Sequence, residues 1–386
     1  MEPNFGAMTR EIPAALAALL EPRESFDARP VIEWLVRFAA ELEASDLHIR
    51  PASQAVEILL RREGVLSCCF ELPSEYHPRL LVGLKNGARL ASYKNATPQD
   101  GKWALGDQEV RVAVAPAQFG EVAVLRLLRP DARLRSLEEL GFWPEELEAL
   151  QRMADQPQGL VLATGPAGSG KSTTLLALMR WLQQRHRERL GPAPDARLNI
   201  ITLEDPVEVV VSDFNQTSIQ SGVGMTFATG LRSILRQDPD LILVGEIRDS
   251  ETAGAVVQAS LSGHLVFSSL HARNSVGVVP RLLEMGVQPY QLAASLSGVI
   301  YQRLLRLLCS HCQREGEPVG CAACHQSGYR GRTAVPELLI GNEQLRQAIL
   351  QQRELPDPLF SLEERAERRR QRGLTSQAEI RRVIPV

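Results

Sequence analysis

One stretch of the sequence has residue types and spacing that suit the binding of phosphate. Residues 164–175 read TGPAGSGKSTTL and contain the pattern G-x-x-x-x-G-K-[ST]. In such a loop the glycines let backbone N–H groups point at phosphate oxygens, the lysine contacts the β- and γ-phosphates, and the next hydroxyl ligates Mg²⁺. The predicted nucleotide-binding residues are Gly165, Pro166, Ala167, Gly168, Ser169, Gly170, Lys171, Ser172 and Thr173, with Ser172 as the magnesium ligand.

Three carboxylates follow apolar segments that resemble buried strands. Glu246 ends LILVGE, and Glu204 and Asp205 follow LNIITL. Hydrolysis of a nucleotide needs an acid at a neighbouring strand end to orient water and the metal. An unpaired buried carboxylate is costly, which makes simple packing a poor explanation for all three. The alternative is that they are strand-end caps or salt-bridge partners.

Four of the six cysteines form two C-x₂-C pairs, Cys309 with Cys312 and Cys321 with Cys324. Two such turns offer four thiolates to a tetrahedral Zn²⁺ and leave no open position for water, so we expect a structural metal. His311 and His325 are alternative ligands, and two disulfides or free thiols remain alternatives to a metal. The other two cysteines, at positions 68 and 69, are expected to pack inside an apolar run.

Length and charge limit the class of protein. A chain of 386 residues is expected to form two domains or more. The net charge of −3 gives no general attraction to nucleic acid or anionic lipid. The N-terminal stretch IPAALAALL is too short to span a bilayer and lacks a basic leader, so we expect a cytosolic chain with no transmembrane segment.

The order of apolar segments predicts an α/β protein. A helix, a hairpin turning at Glu63 and Gly64, and two later strands indicate a small first domain. Beyond it, unbroken apolar strands alternate with helices at 170–190, about 226–237 and 250–262, which indicates a parallel sheet buried on both faces. The tail is expected to form helices broken at LPDPL, with ERAERRRQRG as one solvated helix face.

Several motifs together resemble the type II secretion and type IV pilus assembly ATPases. They are the phosphate loop, ITLEDPVE at 201–208, LRQDPDLILVGEIRD at 235–249 and GHLVFSSLHARNS at 263–275. ASDLHIRP, TPQDGKW and the cysteine segment resemble the same family, so the likeness covers roughly residues 30–340. Departures from the family pattern include Ala167, where the family commonly has threonine, RREG at 61–64, which lacks the usual aspartate before the glycine, and a shorter stretch between the cysteine pairs.

The resemblance implies a RecA-like P-loop ATPase domain preceded by a smaller α/β, PAS-like domain, with a short zinc-binding insert and a helical C-terminus. It also implies that Glu246 positions or activates water, that Glu204 supports the metal or water, and that His271 senses the γ-phosphate. The expected division is an arm at 1–27, a first domain at 28–130, a linker at 131–136, the ATPase core at 137–306, the zinc segment at 307–332 and a helical region at 333–386.

Four arginines match the family pattern for charges that act on the γ-phosphate. They are Arg111 and Arg126 on strands of the first domain, and Arg232 and Arg236 before the segment LILVGE. A guanidinium group placed in this way accelerates hydrolysis by about 10³- to 10⁵-fold in other nucleotide hydrolases. The alternative is that they are ordinary surface arginines.

The resemblance therefore implies a homo-hexameric motor that uses ATP, Mg²⁺ and Zn²⁺. Its partners would be inner-membrane platform or anchor proteins, with the motor in the cytoplasm and peripherally associated with that membrane. A pilus retraction motor is the nearest alternative. A nucleic-acid translocase and a subunit that does not hydrolyse nucleotide are two others, and no nucleic acid is expected because the chain is slightly acidic.

Overall fold

Two β-sheets organise the part of the chain that the structure describes. The structure is a computed structural model, and it describes residues 11–21, 26–106, 108–128, 134–191, 197–220 and 224–384. These residues divide into two units. The first unit runs up to Leu128 and also contains Cys309–Gly331, whereas the second contains Leu134–Leu308 and Arg332–Ile384. The cysteine segment therefore belongs with the first unit, although the chain around it belongs to the second.

The first unit contains a six-stranded antiparallel sheet in the order β3-β2-β1-β6-β5-β4. Three helices accompany it. The elements are α1 (Ala14–Leu20), α2 (Ala28–Glu41), β1 (Asp46–Pro51), β2 (Ala55–Arg62), β3 (Val65–Pro73), α3 (His77–Gly87), β4 (Gln99–Leu105), β5 (Gln108–Ala117) and β6 (Gly120–Leu128).

Local sequence explains the start of this unit. The side chain of Asp27 accepts a hydrogen bond from the backbone N–H of Arg29 and so caps α2. The predicted turn between β2 and β3 is present, with positive φ at Glu63 and Gly64. The expectation that both neighbouring cysteines pack inside was wrong, because Cys69 is buried and Cys68 is exposed. Successive side chains of a strand point to opposite faces, so adjacent residues do not share one environment.

The second unit contains a seven-stranded sheet in the order β13-β12-β7-β11-β10-β8-β9. All neighbours from β12 to β9 are parallel. The strands are β7 (Gly159–Thr164), β8 (Ile200–Glu204), β9 (Asn215–Ser218), β10 (Leu241–Val244), β11 (Leu265–Leu270), β12 (Leu296–Leu308) and β13 (Tyr329–Ile340). The helices are α4 (Pro144–Ala154), α5 (Lys171–Leu190), α6 (Phe227–Ile234), α7 (Ser250–Leu261), α8 (Val278–Glu284), α9 (Pro289–Ser295), α10 (Glu343–Leu350), α11 (Leu362–Gln371) and α12 (Gln377–Val383).

The central strands are buried on both faces, as the sequence predicts. Every residue of β7, β8, β10 and β11 is buried. Leu160 and Leu162 of β7 join one core cluster, and Val161 and Ala163 join another. The helix expected to reach residue 237 ends earlier, at Ile234. The chain turns there, because Gln237 N donates to the carbonyl O of Ile234 and the next residue has a positive φ.

The arginine-rich tail helix was predicted to be a solvated face, and that prediction was wrong. Arg365 and Arg369 of α11 are buried. Arg369 Nη2 lies 2.8 Å from Glu146 Oε2, and Arg365 Nη1 lies 2.9 Å from Glu145 Oε1. The acidic first turn of α4 neutralises these guanidinium groups, and the Arg369 guanidinium carbon is 4.7 Å from the ring centroid of Trp143. Paired charges with apolar stems can be buried in this way.

Candidate nucleotide site and cysteine cluster

The predicted phosphate loop connects the carboxyl end of β7 to the first turn of α5. Gly165 and Gly170 have positive φ angles of 138° and 87°. A Cβ on Gly165 would lie 2.5 Å from the carbonyl O of Gln302, and a Cβ on Gly170 would lie 2.8 Å from Gln302 Nε2. Only glycine fits such close contact with β12. The loop therefore has the strand-loop-helix context that the phosphate-binding pattern requires.

Gln302 of β12 holds the loop from behind. Its side chain is buried, its Nε2 donates to the carbonyl O of Ser169 at 2.7 Å, and its Oε1 accepts from Thr174 Oγ1 at 2.8 Å. Both ends of the amide are thus bonded to the loop and to α5. Gln302 could not be identified from the sequence, because a single glutamine in a strand belongs to no recognisable motif.

A cavity of about 310 Å³ opens in front of the loop. Lys171, Ser172 and Thr173 line it, and Glu204, Glu246 and His271 also line it. These six side chains come from α5, from the last residue of β8 and from the segments that follow β10 and β11. The carboxyl ends of these three strands meet at one edge of the parallel sheet. Ala167 and Gly168 also line the cavity, whereas Gly165, Pro166, Ser169 and Gly170 form the rest of the loop.

Lys171 bends back over the loop. Its Nζ donates to the carbonyl oxygens of Gly165 and Pro166, each at 3.0 Å. Burial lowers the pKa of Lys171, and the carboxylate of Glu246 acts in the opposite direction. The ammonium group is therefore electrostatically coupled to the acid that follows β10.

Glu204, the last residue of β8, is buried and held by two neighbours. Its Oε1 accepts hydrogen bonds from Thr202 Oγ1 at 2.7 Å and from Gln216 Nε2 at 2.9 Å. Burial raises the pKa of Glu204, and these two hydrogen bonds only partly oppose that effect. Thr202 and Gln216 were not singled out from the sequence, because their proximity depends on the pairing of β8 with β9.

Glu246 lies two residues after β10 and contacts side chains on both of its oxygens. Its Oε1 accepts a hydrogen bond from Arg248 Nη2, and its Oε2 lies 3.9 Å from His271 Nε2. Arg248 Nη1 also donates to Asp205 Oδ2 at 3.1 Å. Arg248 was not predicted as a site residue, although it lies two positions after Glu246 in the same motif.

The first histidine of the 263–275 motif lies away from the cavity. His264 comes before β11, at the amino edge of the sheet, and its Nδ1 is 3.3 Å from the carbonyl O of Ala259. His271 follows β11, at the carboxyl edge. Only the latter lines the cavity at the phosphate loop.

The four predicted arginines fall into two pairs. Arg111 and Arg126 face each other in register on β5 and β6 of the first unit, and Arg126 Nε lies 3.0 Å from Asp46 Oδ1. In the second unit, Arg232 Nη2 lies 2.8 Å from Glu251 Oε1 of α7. Arg236 follows α6, and its Nη1 donates to the backbone O of Arg232 at 2.8 Å. Neither Arg232 nor Arg236 is among the residues that line the cavity.

The four cysteines of the two C-x₂-C pairs come together, with all their Sγ atoms within 4.8 Å of one another. Sγ–Sγ distances are 3.9 Å between Cys309 and Cys321, 3.8 Å between Cys312 and Cys324, and 3.7 Å between Cys321 and Cys324. Four thiolates about 2.3 Å from one zinc ion have edges of about 3.8 Å. The cluster therefore fits tetrahedral Zn²⁺, and no disulfide joins any two of these four cysteines.

A hydrogen bond within the first unit connects the cysteine segment to the turn between β2 and β3. The carboxylate of Glu63, in the turn between β2 and β3, accepts a hydrogen bond from the backbone N–H of Gly331. Burial raises the pKa of the Cys324 thiol, but the backbone N–H groups of Cys321 and Gly328 outweigh it and lower that pKa to about 7. Burial lowers the pKa of His325, and Arg62 acts in the same direction. Neither His325 nor His311 belongs to the candidate metal group in the described residues.

Comparison with known proteins identifies the family. The family described as "Type II/IV secretion system protein" matches residues 24–382. The chain belongs to this family. The resemblance inferred from the motifs is thus confirmed. Among the described helices of this type II/IV secretion system protein, none combines the length and apolar character needed to cross a bilayer.

Individual relatives agree with this assignment. The chain is 40% identical over 381 residues to the type II secretion system protein HxcR of Pseudomonas aeruginosa, covering 95% of this chain and 79% of the relative. It is 40% identical over 371 residues to the putative type II secretion system protein E of Escherichia coli K12, covering 89% and 72%. It is 34% identical over 392 residues to the type IV pilus assembly ATPase TfpB of Acinetobacter baylyi, covering 92% and 65%.

Solved structures of two other proteins resemble the fold. The pilus retraction motor PilT, solved with bound ADP, is 25% identical with a TM-score of 0.61, and the match covers 92% of this chain and 97% of PilT. The ATPase DotB of Legionella pneumophila is 21% identical with a TM-score of 0.65, covering 91% and 94%. The α/β fold class expected for secretion and pilus ATPases is confirmed by these likenesses.

Proposed function

We propose that this chain is an ATP-hydrolysing motor of a type II secretion or type IV pilus assembly machine. The observation that carries the proposal is the cavity in which Lys171 and Ser172 of a phosphate loop lie with Glu204, Glu246 and His271. Relatives named as type II secretion proteins and as a pilus assembly ATPase support the same proposed function.

Each of these five residues has a proposed role. Lys171 binds the β- and γ-phosphates, and Ser172 holds Mg²⁺, which supplies the charge that neutralises the phosphate oxygens. Glu246 orients the attacking water, and Glu204 supports the metal or the water. His271 senses the γ-phosphate. The positions of Glu246 and His271 at neighbouring strand ends support this division of roles.

The motor is proposed to work as a ring of six copies. Arg232 and Arg236 do not line the cavity of their own unit, and Arg111 and Arg126 belong to the sheet of the first unit. Guanidinium groups from neighbouring copies would complete the charge around the γ-phosphate. Within one copy, two of the four pair with carboxylates instead, Arg126 with Asp46 and Arg232 with Glu251.

Nucleotide binding is proposed to favour one orientation of the first domain (28–130) relative to the core (137–306), and hydrolysis to release it. That movement would drive pilin-like subunits out of the inner membrane into a filament. The partners are then the platform and anchor proteins of that membrane, and the motor is cytoplasmic and peripheral. The arm, linker and zinc-segment boundaries expected from the sequence remain part of this proposal.

The cysteine cluster is proposed to hold one structural Zn²⁺. Its four thiols match the edges of a tetrahedral site and leave no place for a water ligand. A bound zinc would cross-link the two C-x₂-C turns. The proposed role of the zinc is therefore structural, in the segment 309–331, whose Gly331 N–H donates a hydrogen bond to Glu63.

A pilus retraction motor is a second candidate, favoured by the likeness to PilT. The cysteine cluster favours assembly, because we do not expect it in a retraction motor. We expect loss of an assembly motor to abolish secretion or filaments, and loss of a retraction motor to leave filaments in excess. A nucleic-acid translocase would need exposed basic residues, whereas Arg365 and Arg369 of the basic tail are buried in ion pairs.

The proposed function is tested by phosphate release from Mg-ATP and by nucleotide binding, measured on the purified chain. Glu246→Gln should keep nucleotide affinity and reduce turnover by about 10²-fold or more. Glu284→Gln is the matched control, because this exposed carboxylate of α8 pairs with Arg281 and is not among the residues that line the cavity. Wild-type protein without turnover, or equal rates in both variants, would contradict the proposal.

A further inference from the structure

Arg248 joins the acidic residues that follow two neighbouring strands. Its Nη2 donates to Glu246 Oε1, after β10, and its Nη1 lies 3.1 Å from Asp205 Oδ2, after β8. The planar guanidinium group can hold two carboxylates at once in a fixed geometry. One side chain thus connects the acid proposed to orient water with the loop that follows Glu204.

The backbone beneath Arg248 is fixed on both sides. Ile247 is buried, and its N–H donates to the carbonyl O of Ser269 in β11 at 2.8 Å. Asp249 caps α7, because its Oδ1 accepts from Thr252 N at 2.7 Å. The guanidinium group therefore extends from a backbone segment that is anchored to β11 and to α7. This anchoring lets Arg248 restrain the side chain of Glu246.

From this geometry, and on the basis of the proposed ATP hydrolysis, we infer that Arg248 is a positioning residue for Glu246. The guanidinium fixes Oε1, so the second oxygen faces His271, whose Nε2 is 3.9 Å from Oε2. The Arg248 side chain is 56% exposed, and exposed ion pairs contribute little to folding stability. Its main effect is therefore on the orientation of a catalytic carboxylate.

The central test is Arg248→Ala in the full-length protein, with turnover and nucleotide affinity measured separately. We expect kcat to fall by about 10- to 100-fold, since small misplacements of a reacting group have effects of this size. The nucleotide Kd should change less than about threefold, because Arg248 is not among the residues lining the cavity. Arg248→Lys should recover only part of kcat, because an ammonium group lacks the fork that spans two carboxylates.

Asp205→Asn provides a second, independent readout. If Arg248 acts through the bridge, the Arg248→Ala/Asp205→Asn double variant should lose less kcat than the product of the two single effects. Arg281→Ala is the matched control, since Arg281 also pairs with a nearby carboxylate, Glu284, but on α8. Its kcat and its thermal unfolding should match those of the wild type.

Two outcomes would overturn the inference while leaving the proposed function intact. The first is wild-type turnover in Arg248→Ala. The second is a parallel loss of kcat and affinity, which would indicate direct contact with nucleotide or a folding defect. Absence of hydrolysis in the wild type would instead overturn the proposed function, so the two failures are distinguishable.

Discussion

The carboxylate of Glu246 and the imidazole of His271 approach each other across the ends of β10 and β11, with Oε2 and Nε2 3.9 Å apart. Backbone pairing supports this approach, because Val244 and Ser268 are partners in the parallel register of the two strands. A movement of the segment that follows β11 therefore changes the distance between the His271 imidazole and the Glu246 carboxylate. This relationship underlies the role proposed for His271.

His271→Ala is expected to lower turnover with little loss of nucleotide affinity. If the imidazole contacts the γ-phosphate mainly during hydrolysis, its removal should reduce kcat and kcat/KM together, by about 10²-fold. His264→Ala is the control, because His264 lies at the opposite edge of the sheet. Steady-state phosphate release measures both variants, and equal rates for the two would refute the role of His271.

Arg126→Ala is expected to slow hydrolysis while nucleotide affinity stays near that of the wild type. Arg126 lies on the first-unit sheet beside Asp46, and its proposed action is on a nucleotide held in a ring. Loss of such a guanidinium group costs about 10³-fold in related chemistry. Arg50→Ala is the matched control, since Arg50 lies on β1 and pairs with Glu57. Equal loss of affinity and rate in Arg126→Ala would indicate misfolding instead.

Cys321→Ser is expected to abolish stoichiometric zinc, because its Sγ is one of four that fit a single tetrahedral ion. Elemental analysis of the wild-type chain should give about one zinc per chain. Cys68→Ser, which changes an exposed thiol outside the cluster, should keep that value. Folded wild-type protein that is free of metal and has all four cluster thiols titratable would overturn the assignment.

The stability contributed by Glu379 is expected to depend on pH. Burial acts to raise its pKa, but hydrogen bonds from Arg382 and Arg306 outweigh burial and place that pKa below its ordinary value of 4.5. Because the folded-state pKa is depressed, the ionised carboxylate stabilises the fold above pH 4.5, and this contribution is lost as pH falls through the lower folded-state value.

Glu379→Gln should therefore lower the free energy of unfolding by about 2 kcal/mol at neutral pH, the value typical of hydrogen bonds to a charged group. The difference from wild type should shrink at successively lower pH. Denaturant titrations measure it, and Glu284→Gln, which changes an exposed ion pair, should differ from wild type by less than about 0.5 kcal/mol. A difference that is the same at every pH would argue against this assignment.

The sequence predicts those parts of the candidate site in which the functional residues lie close together in the chain. The loop around Lys171 and the cysteine pairs each hold their functional residues within a few positions, and an apolar strand before Glu246 places that acid at a sheet edge. The order of the strands in the sheet, by contrast, is set by contacts between residues far apart in the chain. The bond from Arg248 to Asp205 and the bonds of Gln302 depend on that order, which explains why the bridging role of Arg248 and the role of Gln302 could not be identified from their own neighbourhoods.

The arginine-rich tail is another feature that depends on contacts between distant parts of the chain. Here the sequence predicts exposure, whereas the structure shows burial. A run of charges normally indicates a solvated helix face, and only tertiary packing brings Arg369 to Glu146. The association of Cys309–Gly331 with the first unit is a similar case. A hydrogen bond between Glu63 and Gly331 joins residues far apart in the chain, and no spacing rule anticipates it.

The central claim is that ATP is cleaved where copies of this chain meet, with Glu246 from one copy and arginines from its neighbour. The most direct test measures ATP turnover per chain as a function of chain concentration, alongside the assembly state by light scattering. We predict that turnover per chain rises steeply as rings form and that Arg126→Ala rings remain slow. Full turnover by an isolated monomer, unchanged at every concentration, would contradict it.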